Sequence, residues 1–153
     1  MSDLQIRAAT WIDAPIIYAF VCALEECIID QTAFLAVFRH NLADPAVHYL
    51  VAERSGEVVG FVSCHVQQLL HHGGKVAEIQ ELFVRPDARN QRVGQRLVQA
   101  IYTLATHEQF INLEVTTNQK RTDTIRFYER ESFSHTHVKL VKPVETDDFP
   151  ESK

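Results

Sequence analysis

The densest chemistry in the sequence lies between residues 82 and 97, Leu-Phe-Val-Arg-Pro-Asp-Ala-Arg-Asn-Gln-Arg-Val-Gly-Gln-Arg-Leu, where Arg85, Arg89, Arg92 and Arg96 stand against one acid, Asp87. An apolar run stopped by Pro86 precedes the cluster and a helical period begins at Val93, so it sits at a strand-to-helix junction. Free N–H groups and the helix dipole at such a junction favour an anion. The local charge of about +3 therefore suits a phosphate-bearing ligand, although charge alone equally describes a solvated arginine face. Imidazoles form a second group. His65, His71 and His72 lead into one strand, and His135 and His137 share a face of the last one; turn and surface roles describe them equally well. Cys22, Cys27 and Cys64 lack C-x2-C spacing and read as reduced thiols.

The elements that must position these groups follow from the apolar period. Leu4 to Ala8 alternates as a strand, and Thr10-Trp-Ile-Asp13 with Pro15 opens a helix that ends before Asp30. A second helix is expected over Thr32 to Leu42, stopped by Asp44-Pro45. From Val47 the period is two, giving strands at Val47–Glu53, Val58–Val66 and Val76–Val84, with turns at Ser55-Gly56 and His71–Gly74. A helix from Val93 to about His107, a strand Ile111–Thr116, a helix Thr122–Arg130 and a last strand Phe133–Val141 complete the chain. The predicted order is β-α-α-β-β-β-α-β-α-β, an α/β fold whose mixed, mostly antiparallel sheet is flanked by helices and turns parallel around the strand-helix-strand unit at Val76 to Thr116. In such sheets ligands sit at the carboxyl ends of the strands.

Residues 1–142 read as one domain and 143–153 as a loose acidic tail. With 15 basic against 20 acidic side chains the net charge is −5, which argues against nucleic acid or an anionic membrane as partner. No apolar run reaches the roughly 20 residues of a membrane helix, and Met1-Ser2-Asp3-Leu4 lacks a signal pattern, so a cytoplasmic location is expected.

Arg89-Asn-Gln-Arg-Val-Gly94 after Leu82-Phe-Val-Arg-Pro86 resembles the R/Q-x-x-G-x-G/A signature of the GNAT superfamily of N-acetyltransferases, with Arg92 in place of the first glycine. Asn118 and Arg126-Phe-Tyr-Glu-Arg-Glu-Ser-Phe133 resemble its N…FYxxxGF segment, with Ser132 at the glycine. The resemblance implies acetyl-CoA as donor. The N–H groups of Gln91, Arg92, Val93, Gly94 and Gln95 would cradle its pyrophosphate, backbone of Leu82, Phe83 and Val84 would line the pantetheine arm and polarise the carbonyl, and Asn118 would assist. Arg89 and Arg92 are expected to reach phosphates. Acetyl transfer needs a neutral amine, a stabilised oxyanion and a proton for the thiolate. By resemblance Glu78 is the general base and Tyr128 the acid. Glu81 ranks second as base, because strand parity puts it on the opposite face unless a bulge resets the register.

The stretch His65 to Leu82, with Thr117–Arg121 and the long Asn118-to-Tyr128 spacing, further resembles bacterial aminoalkylphosphonate N-acetyltransferases. That implies a small aminophosphonate as acceptor, with His72 and Glu81 beside it, and a divalent metal for which His71, His72, Glu78 and His137 are the candidate ligands. Arg39, Lys75 and Lys142 are the candidate phosphonate partners. Family analogy also implies a homodimer. A GNAT enzyme acting on a polyamine, an aminoglycoside or a protein amine is the alternative, and a non-catalytic CoA-binding regulator the third reading.

Overall fold

The computed structural model describes residues 3–145. Strand β1 (Gln5–Ala8) leads into a 3-10 turn, Trp11–Asp13, whose Asp13 carboxylate accepts from the Thr10 N–H at 2.8 Å. Helix α1 (Ala14–Glu25) follows and ends on left-handed Glu26. Helix α2 (Gln31–Leu42) is capped by Asp30, which accepts from the Ala33 N–H at 2.8 Å. Strands β2 (Val47–Arg54) and β3 (Glu57–Leu69) form a hairpin through Ser55 and Gly56, both at positive φ as a tight two-residue turn requires. A 3-10 turn at Leu70–His72 and left-handed Gly73 return the chain into β4 (Gly74–Val84). Then come α3 (Val93–His107), β5 (Asn112–Val115) and α4 (Thr122–Arg130).

The five strands lie in chain order, antiparallel up to β4, with β5 parallel to β4. Helices cover both faces. Val93, Leu97, Val98 and Ile101 of α3 and Tyr128 of α4 pack on Val62, Cys64, Ala77 and Ile79. On the other face Ile17 and Phe20 of α1 and Phe38 of α2 pack on Val51 and Phe61. Each helix thus buries one apolar stripe against one face of the sheet, the arrangement its period encodes.

The predicted strand over Phe133–Val141 does not form. Residues 134–145 carry no regular structure and are exposed. Alternation marks a segment fit for a strand, but a strand also needs a neighbouring ladder, and among the described residues the segment has none. Most of the predicted acidic tail, residues 146–153, lies outside the described residues. The three thiols are unpaired, and burial pushes that of Cys64 up to about 12.

Candidate active site

β4 and β5 are in register only from Val76↔Asn112 to Ile79↔Val115. Beyond that point residues 80–84 of β4 lack a partner on the β5 side; the Glu81 and Arg85 N–H groups bond to β3, so by alternation Leu82 and Val84, on either side of Phe83, turn their backbone groups to the open edge. An extended ligand can add to that edge as a strand would.

The loop after β4 aims at the same opening. Arg92 caps α3 at φ +64°, in the left-handed region, and no side chain caps the helix. The first helical bond is Arg96 N–H to the Arg92 carbonyl, so the N–H groups of Val93, Gly94 and Gln95 are unspent. A Cβ on Gly94 would lie 3.4 Å from the Phe127 ring and 3.6 Å from Val84, so glycine lets the first turn of α3 sit close to both. Ser132 is also left-handed, at φ +72°. At both departures from the family signature the backbone adopts the conformation for which glycine is the ordinary choice.

The arginine cluster divides. Arg85 is spent on Asp87 at 2.6 Å and Glu57 at 3.2 Å, and Arg96 reaches the Leu4 carbonyl. Arg89 donates to the Val84 carbonyl at 3.0 Å, while its guanidinium lies 5.6 Å from the Phe83 ring centroid. Among the described residues Arg92 forms no ion pair. Gln91 accepts from Arg54 and donates to the Asp87 carbonyl, which fixes the loop. Arg54, at the end of β2, is a cation beside this loop that motif reading passed over, because nothing in its local sequence marks it.

On the α2 side of the sheet a cleft of about 350 Å³ opens between α2 and strands β2 to β4. Val37, Asn41 and Tyr49 form one wall; His65, Gln67, Glu78, Gln80 and Glu81 form the other. Glu78 and Glu81 meet here because the β3–β4 register slips between Ser63 and Cys64, so that Ile79 pairs with Cys64 and Glu81 with Ser63. Gln80 is the extra residue. Ala77 and Ile79 face α3, and after the bulge Leu82 and Val84 do so again, while Glu78 and Glu81 share the cleft face. Simple parity separates the two carboxylates; the bulge joins them.

Their surroundings differ. Glu78 accepts from the Thr116 hydroxyl at 3.2 Å. Glu81 is held by Ser63, which donates to its carboxylate at 3.0 Å and accepts its N–H at 2.9 Å. Burial raises the Glu81 carboxyl above the usual carboxylate range, and Ser63 and His65 only partly offset it. Tyr128, 5% exposed, lies on the opposite face between Phe127 and Phe133. Burial pushes its phenol well above the usual tyrosine range, so it stays protonated at neutral pH. The sheet separates Tyr128 from the carboxylates except at the β4–β5 opening, where both faces meet.

Other expected site residues fall elsewhere. The Asn118 carboxamide oxygen accepts from the Lys120 N–H at 2.9 Å and holds the turn before α4. His72 lies 3.9 Å from Glu114, and its ring is tilted by 47° against that of His71 at 4.3 Å between centroids. His137 is on the segment that leaves the body. Among the described residues no group of three or more His, Cys, Asp or Glu side chains could hold a metal ion. The set His71, His72, Glu78 and His137 therefore does not assemble: the 3-10 turn directs His72 to Glu114, Thr116 holds Glu78, and His137 has no strand to fix it. Arg39 lies over the Trp11 ring at 4.6 Å, and neither it nor Lys75 or Lys142 lines the cleft.

A strand edge left open where β5 ends, a helix with no side-chain cap and a cleft holding two carboxylates thus lie around the second half of β4. The acetyltransferase (GNAT) family model matches residues 14–133, and the chain belongs to that family as an N-acetyltransferase. It is similar to an aminoalkylphosphonate N-acetyltransferase of Salmonella typhimurium, 41% identical over 142 residues that make up 93% of this chain and 92% of that one. An IAA acetyltransferase of Azospirillum brasilense is 33% identical over 61% of this chain and 59% of its own. Among solved structures, a transcriptional regulator from Bacillus halodurans C-125 superposes with a TM-score of 0.85 at 23% identity, over 92% of this chain and 99% of that one. The aminoglycoside N-acetyltransferase AAC(6')-Iy in complex with CoA superposes with a TM-score of 0.84 at 17% identity, over 95% and 97%. At these identities the superpositions establish the fold.

Proposed function

We propose that the protein transfers the acetyl group of acetyl-CoA to the primary amine of a small aminoalkylphosphonate. The observation that carries this reading is the 41% identity to the Salmonella enzyme across 93% of the chain. The cofactor supplies an activated thioester, and the chain's own groups do the rest. N–H groups of Val93 to Gln95, with Arg92, hold the pyrophosphate at the uncapped end of α3. The open edge of residues 82–84 aligns the pantetheine arm and offers a donor near Phe83 to the carbonyl oxygen.

In the cleft the two carboxylates attract the substrate ammonium. Glu78, beside the opening, takes its proton, and Glu81 orients it. The neutral amine attacks the acetyl carbon, the carbon–sulfur bond breaks, Tyr128 protonates the departing thiolate from the other face, and the proton the nitrogen sheds as the amide forms passes to solvent, from which the phenolate is reprotonated. No step runs through a metal. The enzyme acts in the cytoplasm as a homodimer; among the described residues no helix is long and apolar enough to cross a membrane.

One observation favours a second reading. Among the described residues no lysine or arginine lines the cleft, which suits a polyamine or aminoglycoside amine better than an anionic phosphonate. Thiol release measured over aminomethyl- and aminoethylphosphonate, polyamines, aminoglycosides and peptides decides between them. The phosphonates are expected to exceed the other amines about 100-fold in kcat/KM, the scale on which a site with matched polar partners discriminates, with no change on adding a chelator. Higher kcat/KM for a polyamine overturns the first reading. CoA binding without turnover of any amine points to a regulator.

A further inference from the structure

Helix α1 closes on a turn that carries two thiols. Glu26 is left-handed at φ +54°, its N–H bonds back to the Ala23 carbonyl at 3.3 Å, and the Cys27 N–H bonds to the Cys22 carbonyl at 3.2 Å. These are the 5→2 and 6→1 bonds of a Schellman motif, in which the side chains at the two ends of the 6→1 bond come into contact. In this chain both ends are cysteine.

Both sulfurs are also within reach of a small reagent. Cys27 is exposed and Cys22 half-buried, whereas Cys64 is fully buried in the sheet core. The turn between the two is held from outside. The Tyr18 hydroxyl donates to the Ile29 carbonyl at 2.5 Å, Asp30 caps α2, and Arg121 before α4 donates to the Leu24 carbonyl at 2.9 Å. The thiols therefore face each other on a fixed backbone.

We propose that Cys22 and Cys27 are an oxidation site that closes to an intrachain disulfide. Such a bond needs Cβ atoms about 3.5–4.5 Å apart, the separation of side chains already in contact, so it forms without unwinding α1. The oxidant is a peroxide. The exposed Cys27 sulfur attacks it, the O–O bond breaks, and a sulfenic acid and one water result. The Cys22 sulfur then attacks that of Cys27 and displaces the sulfenic oxygen as a second water. The two sulfurs lose two electrons, the peroxide gains them, both thiol protons end in water, and a dithiol reverses the reaction. The bond ties the last turn of α1 to the loop that carries α2, and α2 supplies Val37 and Asn41 to the cleft wall. The site is independent of the acceptor amine and of the number of chains in the assembly.

The test is peroxide treatment of the full chain followed by mass analysis. The chain is expected to lose about 2 Da, the mass of two hydrogens. After cleavage at Glu25 and Glu26, the peptides carrying Cys22 and Cys27 should stay joined until reduced, while Cys64 remains open to alkylation once the chain is unfolded. Cys22→Ser and Cys27→Ser should fold as the native chain does and form no link. The oxidised native chain should melt about 4–8 °C higher than the reduced one, the gain from closing so short a loop in a chain of this size, and should return to the reduced value with dithiothreitol. Cys27 carried on to sulfinic acid, a link between two chains or a link to Cys64 overturns the site. So does a linked chain that melts lower than the reduced one, because the bond then strains the turn instead of fitting it.

Discussion

Glu81 lies where a carboxyl is costly to ionise, and its folded-state pKa is raised above the unfolded one. The native state therefore holds more proton between those two values, and stability falls as pH rises through that window. Glu81→Gln removes the penalty. The variant is expected to melt at a higher temperature than the native protein at pH 8, with the difference shrinking toward pH 4, while KM for the amine rises about tenfold for want of one charge-assisted hydrogen bond. Glu78→Gln is expected instead to lower kcat about 100-fold with little change in KM, the scale of a lost general base. Initial rates and thermal melts across pH check both, and a reversed pattern exchanges the two roles. Strand position alone allowed either answer for Glu81; its access to the cleft was decided by one inserted residue, Gln80.

At the scale of elements, the entrance to α3 and the exit from α4 share a device. Arg92 and Ser132 hold left-handed backbone without being glycine, a conformation that costs a side chain about 1 kcal/mol. Ser132→Gly is expected to raise the melting temperature by about 2–4 °C for a chain of this size. Arg92→Gly should give a similar gain, but with weaker acetyl-CoA binding and a shallower salt dependence, because a phosphate contact is removed. Calorimetric titration at two salt concentrations checks this, and unchanged affinity and salt dependence would refute the Arg92 contact. Both positions could be read from sequence as departures at glycine sites. The arginine cluster could be read only as a net charge: Arg85 is neutralised by Asp87 and by Glu57, which arrives from another strand, while Arg92 forms no ion pair among the described residues.

Across the whole molecule, the two cores are joined at their N-terminal corner by buried Asp13. It accepts from both Arg7 guanidinium Nη atoms at 2.8 and 2.9 Å and from the Thr10 N–H, while Arg7 also reaches Glu53 of β2. The Arg7 guanidinium holds the Asp13 carboxyl below the usual carboxylate range. A depressed folded pKa contributes stability that is present above the unfolded value and lost as pH falls through the folded one. Asp13→Asn is therefore expected to cost about 2 kcal/mol at pH 7, a typical loss for a buried charge-assisted pair, and progressively less below pH 4. Denaturant melts across pH check it. The Thr10–Asp13 spacing announced a helix start; Arg7 as the third member was not legible, because the tie forms only when β1 lies against the turn.

Local physics was enough for much of this protein. Apolar period, turn residues and caps are properties of neighbouring residues, so α1 to α4, β1 to β5 and the anion-ready junction at Val93 follow from the sequence itself. What required the folded chain were relations between distant segments: the bulge that puts Glu78 and Glu81 in one cleft, the end of β5 pairing at Ile79, and the failure of His71, His72, Glu78 and His137 to gather as metal ligands. The last strand lies on the same boundary. Its alternation is written in residues 133–141, but a strand becomes a strand only through a ladder, and no element among the described residues supplies one to that segment.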